Sequence, residues 1–311
     1  MRSSTKNNSG ASPGKMASAD DLDGTVSWRA LLAETEVVLD RSGSSDNPRQ
    51  DAKWILEEVT GAEPAEFAAA LDTLATVRGV AKLDEMVARR SRGEPIQYVL
   101  GHWAFRTLDL LVDRRVLIPR PETEMVAGLA LVELDRLRPD GGGTVIDLGT
   151  GSGAIGLSVA AERAVSRVLL TDASADALAV ARANLAGLGL MGSRVEIVEG
   201  SWFEAVSERY LGECDVIVSN PPYVRTNDDL PASVRDWEPS SALLADDDGM
   251  ADLIAIVDNA HEWLRPQGAV VLEMDPRQTN ALVARAEAAG FEAEIVADHA
   301  GLARAVVARN R

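Results

Sequence analysis

The 311-residue sequence holds one cysteine, Cys214, and three scattered histidines, His102, His261 and His299. A single thiol excludes an intramolecular disulfide framework and a cysteine-rich zinc site. Without a His-x-x-x-His or Cys-x-x-Cys spacing, no metal centre is expected. Basic residues are few beside acidic ones: 31 Lys and Arg against 49 Asp and Glu, a net charge of −18. An extended nucleic-acid footprint needs clustered Lys and Arg facing phosphates, so direct nucleic-acid binding is not expected. No run approaches the roughly 18 uninterrupted apolar residues of a membrane-spanning helix. Met1 to Asp20 is rich in Ser, Asn, Gly and Lys and lacks the apolar stretch of a secretory signal. The expectation is a cytoplasmic chain with no membrane partner and a disordered tail over residues 1–24.

What is present, 46% hydrophobic and 26% charged residues, suits a globular chain of about two domains. Residues 25–95 read as a small all-helical domain. Ser27 can cap a helix whose apolar positions Trp28, Leu31, Leu32, Val38 and Leu39 share a face. Asn47-Pro48 opens a second helix that Gly61 ends. A short helix over Glu66–Leu74 and one carrying Val80, Leu83, Met86 and Val87 follow. Residues 96–118, with short apolar runs at 97–100, 108–112 and 116–118, read as a β-hairpin linker.

A helix to Leu137 opens the remainder, 119–311. Strand and helix patterns then alternate, with strands at 145–148, 167–171, 195–198, 216–219, 269–273, 292–296 and 304–308. Such alternation predicts an α/β fold, a doubly wound, mostly parallel, seven-stranded sheet. No helix separates the last two strands, which should pair as an antiparallel hairpin. Cys214 reads as packed before a buried strand, His261 as a helix-surface residue and Asp246-Asp247-Asp248 as a solvated loop.

Asp147, Gly149, Thr150, Gly151, Ser152 and Gly153 form the turn after the first strand of the sheet. Glycines there let backbone approach a ligand at the carboxyl end of a strand, where open α/β sheets bind ligands. The spacing is Gly-x-Gly-x-Gly, and the carboxylate of Asp147 would repel a pyrophosphate but could bind an amino group. That combination fits S-adenosylmethionine, which carries an ammonium and a sulfonium. Asp172 ends the second strand, where an acidic residue can accept both ribose hydroxyls. Alternatively, the glycine turn holds no ligand and Asp172 caps the next helix.

Asn220-Pro221-Pro222-Tyr223 follows the fourth strand directly. The two prolines fix φ and remove two donors, and Asn220 is held extended by the proline after it. The remaining acceptors are the Asn220 side-chain oxygen and the Pro221 carbonyl, beside the Tyr223 ring. This array suits a planar NH2 group. An amide nitrogen is a poor nucleophile because its lone pair is delocalised. Holding both hydrogens lets it pyramidalise toward an electrophilic methyl, with positioning as the main contribution of the protein. Read alone, the tetrapeptide is also an ordinary turn signal.

The chain resembles the release factor glutamine methyltransferases, the HemK/PrmC family, from about Asp46 to Arg309. The resemblance rests on Asn47-Pro-Arg-Gln-Asp51, Arg92-Gly-Glu-Pro-Ile-Gln-Tyr-Val-Leu-Gly101, Leu117-Ile-Pro-Arg-Pro-Glu-Thr-Glu124, the glycine turn, Val218-Ser-Asn-Pro-Pro-Tyr223 and Val234-Arg-Asp-Trp-Glu-Pro239. It implies a class I S-adenosylmethionine-dependent methyltransferase of Rossmann-like fold, acting on the glutamine amide nitrogen in the Gly-Gly-Gln motif of peptide chain release factors. The N-terminal domain would help dock that protein substrate. By position, Gly149 to Gly153 would line the methionine part of the cofactor, Asp172 would hold the ribose and Trp202 would lie against the adenine. Asn220, Pro221, Pro222 and Tyr223 would hold the glutamine, with Arg120, Pro121 and Glu122 at the entrance. Ser201 stands where many relatives have Asp, and Met274 where Gly is usual. An amino-methyltransferase of nucleic acid, or a scaffold that binds the cofactor without turnover, would share parts of this pattern.

Overall fold

A computed structural model describes residues 23–163 and 166–311. The chain divides into two compact units, one ending at Gly93 and one spanning Glu94–Arg311.

The first unit is built on helices α1 (Trp28–Ser42), α2 (Pro48–Thr60), α3 (Phe67–Ala70) and α4 (Val77–Ser91). Their ends follow local chemistry. Ser27 accepts the Ala30 N–H, Asn47 accepts that of Gln50 with Pro48 at the first helical position, and Gly43 and Gly61 close α1 and α2 in the left-handed region. Two strands, β1 (Asp23–Ser27) and β2 (Leu74–Thr76), pair antiparallel, an addition to the expected all-helical unit. β2 takes the end of the expected 66–74 helix. The tail expected over residues 1–24 lies outside the described residues except for Asp23 and Gly24, which begin β1.

The second unit opens with α5 (Ile96–Leu100) and a hairpin of β3 (His102–Phe105) and β4 (Leu108–Leu111). This corrects the expectation of strand character from residue 96. Pro95 precedes a single helical turn that buries Ile96, Tyr98 and Val99, and Gly101 stops it at φ 85° with its N–H on the Gln97 carbonyl. Residues 116–118 are not a strand either, but two buried groups pin them. Tyr98 Oη donates to the Val116 carbonyl at 2.5 Å, and Glu238 accepts the Ile118 N–H at 3.1 Å while pairing with Arg120.

After α6 (Pro121–Leu137) comes the alternating core: β5 (Thr144–Leu148), α7 (Ala154–Glu162), β6 (Arg167–Asp172), α8 (Ala175–Gly187), β7 (Val195–Glu199) and β8 (Cys214–Ser219). A short parallel pair, β9 (Val224–Arg225) with β10 (Leu244–Ala245), and helices α9 (Ala232–Arg235) and α10 (Asp246–Gly249) intervene. The chain ends with α11 (Ala251–Asn259), β11 (Leu264–Glu273), α12 (Thr279–Ala288), β12 (Glu292–Ala297) and β13 (Ala303–Arg309). The seven strands lie in the order β12-β13-β11-β8-β5-β6-β7, and only β13 runs antiparallel to its neighbours. The doubly wound, mostly parallel sheet read from the sequence is therefore present.

Strand alternation divides the core between two faces. Val145, Val216, Val218 and Val271 pack with Val126, Ala130 and Leu134 of α6 and with α7. Ile146, Ile217, Val270 and Leu272 pack on the other face with Leu253 and Ile256 of α11 and Leu282 of α12. Cys214 is buried at the start of β8. His261 departs from its expected surface role: its ring stacks on Phe291 with centroids 4.1 Å apart, and Nε2 meets the Ala289 carbonyl at 2.6 Å.

Candidate active site

The chain winds outward from β5 in both directions, so β5 and β8 flank the switch point where ligands bind in open sheets. Leu148 and Ser219 are register partners, and the Ser219 hydroxyl donates to the Leu148 carbonyl at 2.6 Å. The glycine turn and the Asn-Pro-Pro-Tyr segment thus leave adjacent strands at one level. Between them lies a cleft of about 450 Å³, within the range of small-molecule sites.

Asp147 sits at the base of this cleft, almost fully buried. Its Oδ2 accepts the Thr150 hydroxyl at 2.6 Å and the Gly156 N–H at 2.9 Å. Its buried Oδ1 has no partner. Burial pushes the carboxyl up to about 7, the Thr150 and Gly156 hydrogen bonds hold it down, and the neighbouring Asp172 charge pushes it further up. An unpartnered buried carboxylate oxygen on a cavity wall suits a cationic ligand group, and this is the observation by which the chain fits a cofactor bearing an ammonium.

Glycine at the turn has specific causes. Gly149 is left-handed at φ 68°, and a Cβ there would lie 3.3 Å from the Trp202 ring. A Cβ on Gly156, inside α7, would lie 2.1 Å from Leu170 Cδ2, so any side chain there must displace the leucine. Of the predicted cofactor residues, Asp147, Gly149, Thr150, Gly151, Ser152, Asp172, Trp202 and Asn220 line the cleft. Gly153 does not. It precedes α7 at φ 88° and faces Leu157. Asp172 accepts the Gly151 N–H from Oδ2 and the Ser174 N–H from Oδ1, each at 2.9 Å. Burial raises its carboxyl above the ordinary range against these two bonds. Trp202 holds a left-handed φ of 43° and shares the wall with Asp252, whose carboxyl burial raises while the Trp202 side chain lowers it.

Asn220 stands on a wall shared with a second, small cavity of about 50 Å³, which Pro221, Tyr223, Arg120 and Leu117 also line. Pro222 faces the main cleft. Asn220 Nδ2 donates to Thr123 Oγ1 at 3.3 Å, which leaves Oδ1 as the uncommitted acceptor. Tyr223 Oη donates to Glu273 Oε1 at 3.2 Å. Pro121 and Glu122 form the first turn of α6 behind Arg120.

Several supporting groups escaped the sequence reading. Asn184 on α8 bonds both backbone groups of Leu111 and the Ser152 carbonyl, tying the hairpin to the glycine turn. Gln278 donates to the carbonyls of Tyr223 at 3.0 Å and Asp248 at 3.1 Å. The acidic turn it braces is exposed, as expected, but Asp247 and Asp248 are left-handed, and a Cβ on Gly249 would lie 2.2 Å from the Tyr223 carbonyl oxygen. Thr123 lay within the recognised block Leu117–Glu124, and Glu273 stood just before Met274. Their signal was a lone carboxylate ending an apolar strand, as Asp172 ends β6, and a hydroxyl in the first turn of a helix.

Known proteins match most of the chain. The family described as PrmC N-terminal domain matches residues 30–101, and the methyltransferase small domain matches residues 128–236. The release factor glutamine methyltransferase of Salmonella typhimurium is 39% identical over 268 residues, covering 85% of this chain and 93% of that protein. That of Yersinia pestis is 40% identical over 268 residues, covering 86% and 91%. A methyltransferase from Pyrococcus furiosus of known structure is 20% identical with a TM-score of 0.46, covering 66% of this chain and 90% of that one.

Proposed function

The chain belongs to the release factor glutamine methyltransferase family, and from that premise we propose that it methylates the side-chain amide nitrogen of the glutamine in the Gly-Gly-Gln motif of peptide chain release factors, with S-adenosylmethionine as donor. The observation that carries this reading is Asn220. Its Nδ2 is committed to Thr123, which leaves Oδ1 uncommitted, and the residue lines both the main cleft and the small cavity. Beside it, Pro221 offers a carbonyl and no N–H. Two acceptors and no donor select an NH2 group.

In the main cleft, Asp147 would take the ammonium of the cofactor, Asp172 the ribose hydroxyls, and Trp202 the adenine face. When bound, S-adenosylmethionine supplies a methyl carbon already activated by its sulfonium. The protein then has two tasks. Asn220 Oδ1 and the Pro221 carbonyl hold the carboxamide hydrogens and fix the direction of the nitrogen lone pair. The same dipoles, with the Tyr223 ring, stabilise the positive charge that grows on nitrogen until its surplus proton leaves to water. The first unit would serve in docking the protein substrate.

The test is transfer from isotopically labelled S-adenosylmethionine to full-length release factor, with RNA and DNA offered in parallel. One methyl located by mass spectrometry on the glutamine of the Gly-Gly-Gln peptide is expected. Label in nucleic acid and none in the release factor would replace this reading with that of a base methyltransferase. Cofactor binding without transfer to any substrate would favour a scaffold.

A further inference from the structure

The Asn-Pro-Pro-Tyr segment is held firmly where it enters the site. Ser219, just before it, pairs with Leu148 of β5 and Leu272 of β11. Its exit has less support, because β9, which follows Tyr223, is only two residues long. Pro221 and Pro222 have no N–H to anchor the stretch between, and the ring fixes φ but not ψ. The exit is held instead at the Tyr223 carbonyl, by the buried Gln278 that precedes α12. Gln278 Nε2 donates to that carbonyl at 3.0 Å and to the Asp248 carbonyl at 3.1 Å. Its Oε1 accepts the Asp275 N–H at 3.1 Å. Gly249 leaves the room: a Cβ there would lie 2.2 Å from the Tyr223 carbonyl oxygen and 2.5 Å from Gln278 Nε2.

We propose that Gln278 is a positioning residue for amide methylation, which fixes the exit of the Asn-Pro-Pro-Tyr segment and so keeps the Pro221 carbonyl in its direction. A carboxamide NH2 has two hydrogens, and here each goes to a carbonyl of a different loop. The Asp275 N–H decides which end of the carboxamide faces those carbonyls. Turned over, Oε1 would oppose two carbonyl oxygens. The Tyr223 hydroxyl bond to Glu273 at 3.2 Å ties down the ring and leaves the backbone to Gln278. Once the Tyr223 carbonyl is released, rotation about ψ of Pro221 can swing the Pro221 carbonyl away from Asn220 Oδ1. The two acceptors then lose their common NH2 target. This inference rests on the amide-methylation reading.

Gln278→Met keeps the length of the side chain and removes its hydrogen-bonding groups. It is expected to lower kcat on release factor by about 10- to 100-fold with cofactor affinity unchanged. Gln278→Glu keeps an acceptor for Asp275 but has at most one hydrogen for two carbonyls, so it should be about as poor as Gln278→Met. Arg277→Ala removes the neighbouring exposed pairs with Asp228 and Asp275 and should stay near wild type. A fully active Gln278→Met, a Gln278→Glu near wild type, an Arg277→Ala as poor as Gln278→Met, or cofactor affinity lost along with kcat would overturn the inference while wild-type transfer upholds the reading. A second measurement needs no turnover. The Tyr223 carbonyl-carbon resonance of the cofactor-free protein should shift in Gln278→Met and hold its place in Arg277→Ala. Its staying unmoved in Gln278→Met would overturn the inference even in a chain that methylated nothing.

Discussion

Asp147→Asn should make the cofactor-free protein more stable at alkaline pH and worse at binding its cofactor. The folded chain holds the Asp147 carboxyl at about 7, against about 3.9 in an unfolded chain, a separation worth about 4 kcal/mol. Below about pH 4 the group is neutral in both states, and stability is undiminished. As pH rises toward 7, the unfolded chain has released this proton and the folded chain still holds it, so stability falls, levelling off once the folded group ionises. Between pH 5 and pH 8 the wild type should lose about 2–3 kcal/mol more than the variant. In the variant, one amide oxygen can accept both Thr150 and Gly156. The NH2 left in the place of Oδ1 is unsatisfied, at a cost of about 1–3 kcal/mol. The net gain at pH 8 is then about 1–3 kcal/mol. Denaturant titrations of both proteins at the two pH values read this directly, because the other titrating groups are common to both and cancel in the difference. Saturating S-adenosylmethionine should reverse the order by protecting the wild type more. Parallel pH profiles, or a variant weaker than wild type at pH 8, would refute a buried carboxylate awaiting a cation.

Asp172→Ala should weaken cofactor binding about 10- to 100-fold, the loss of charge-assisted bonds worth about 1.5–3 kcal/mol, and an unchanged dissociation constant in calorimetry would show that the ribose lies elsewhere. Gly156→Ala drives a Cβ against Leu170 and should cost about 1–3 kcal/mol of stability, an idea that an unshifted denaturation midpoint would end. Gly249→Ala puts a Cβ onto the Tyr223 carbonyl at a left-handed position. It should lower kcat about tenfold or more while leaving cofactor affinity alone, and equal loss of both would show general misfolding instead.

The sheet was legible because its strands are short apolar runs between turn residues, and because β5 and β8 are buried along their whole length. The two signature turns were legible for a related reason: glycine and proline carry their backbone chemistry in the sequence. Ile96–Leu100 was misread because a five-residue apolar run has no period to distinguish helix from strand. Only the flanking Pro95 and Gly101 mark it as a helical turn. What stayed hidden is partnership. Nothing local says that Asn184 reaches the hairpin, that Glu238 holds Arg120, or that Asn220 meets Thr123. Those contacts span 73 to 118 residues of chain and exist only once the strand order brings them together.

The central claim, that two oxygens aim a flat NH2 at an electrophilic carbon, is tested most directly by a crystal structure with S-adenosylhomocysteine and a Gly-Gly-Gln peptide bound. The glutamine nitrogen should lie about 3 Å from both Asn220 Oδ1 and the Pro221 carbonyl oxygen. A peptide bound with those two oxygens turned away from its carboxamide would contradict the account.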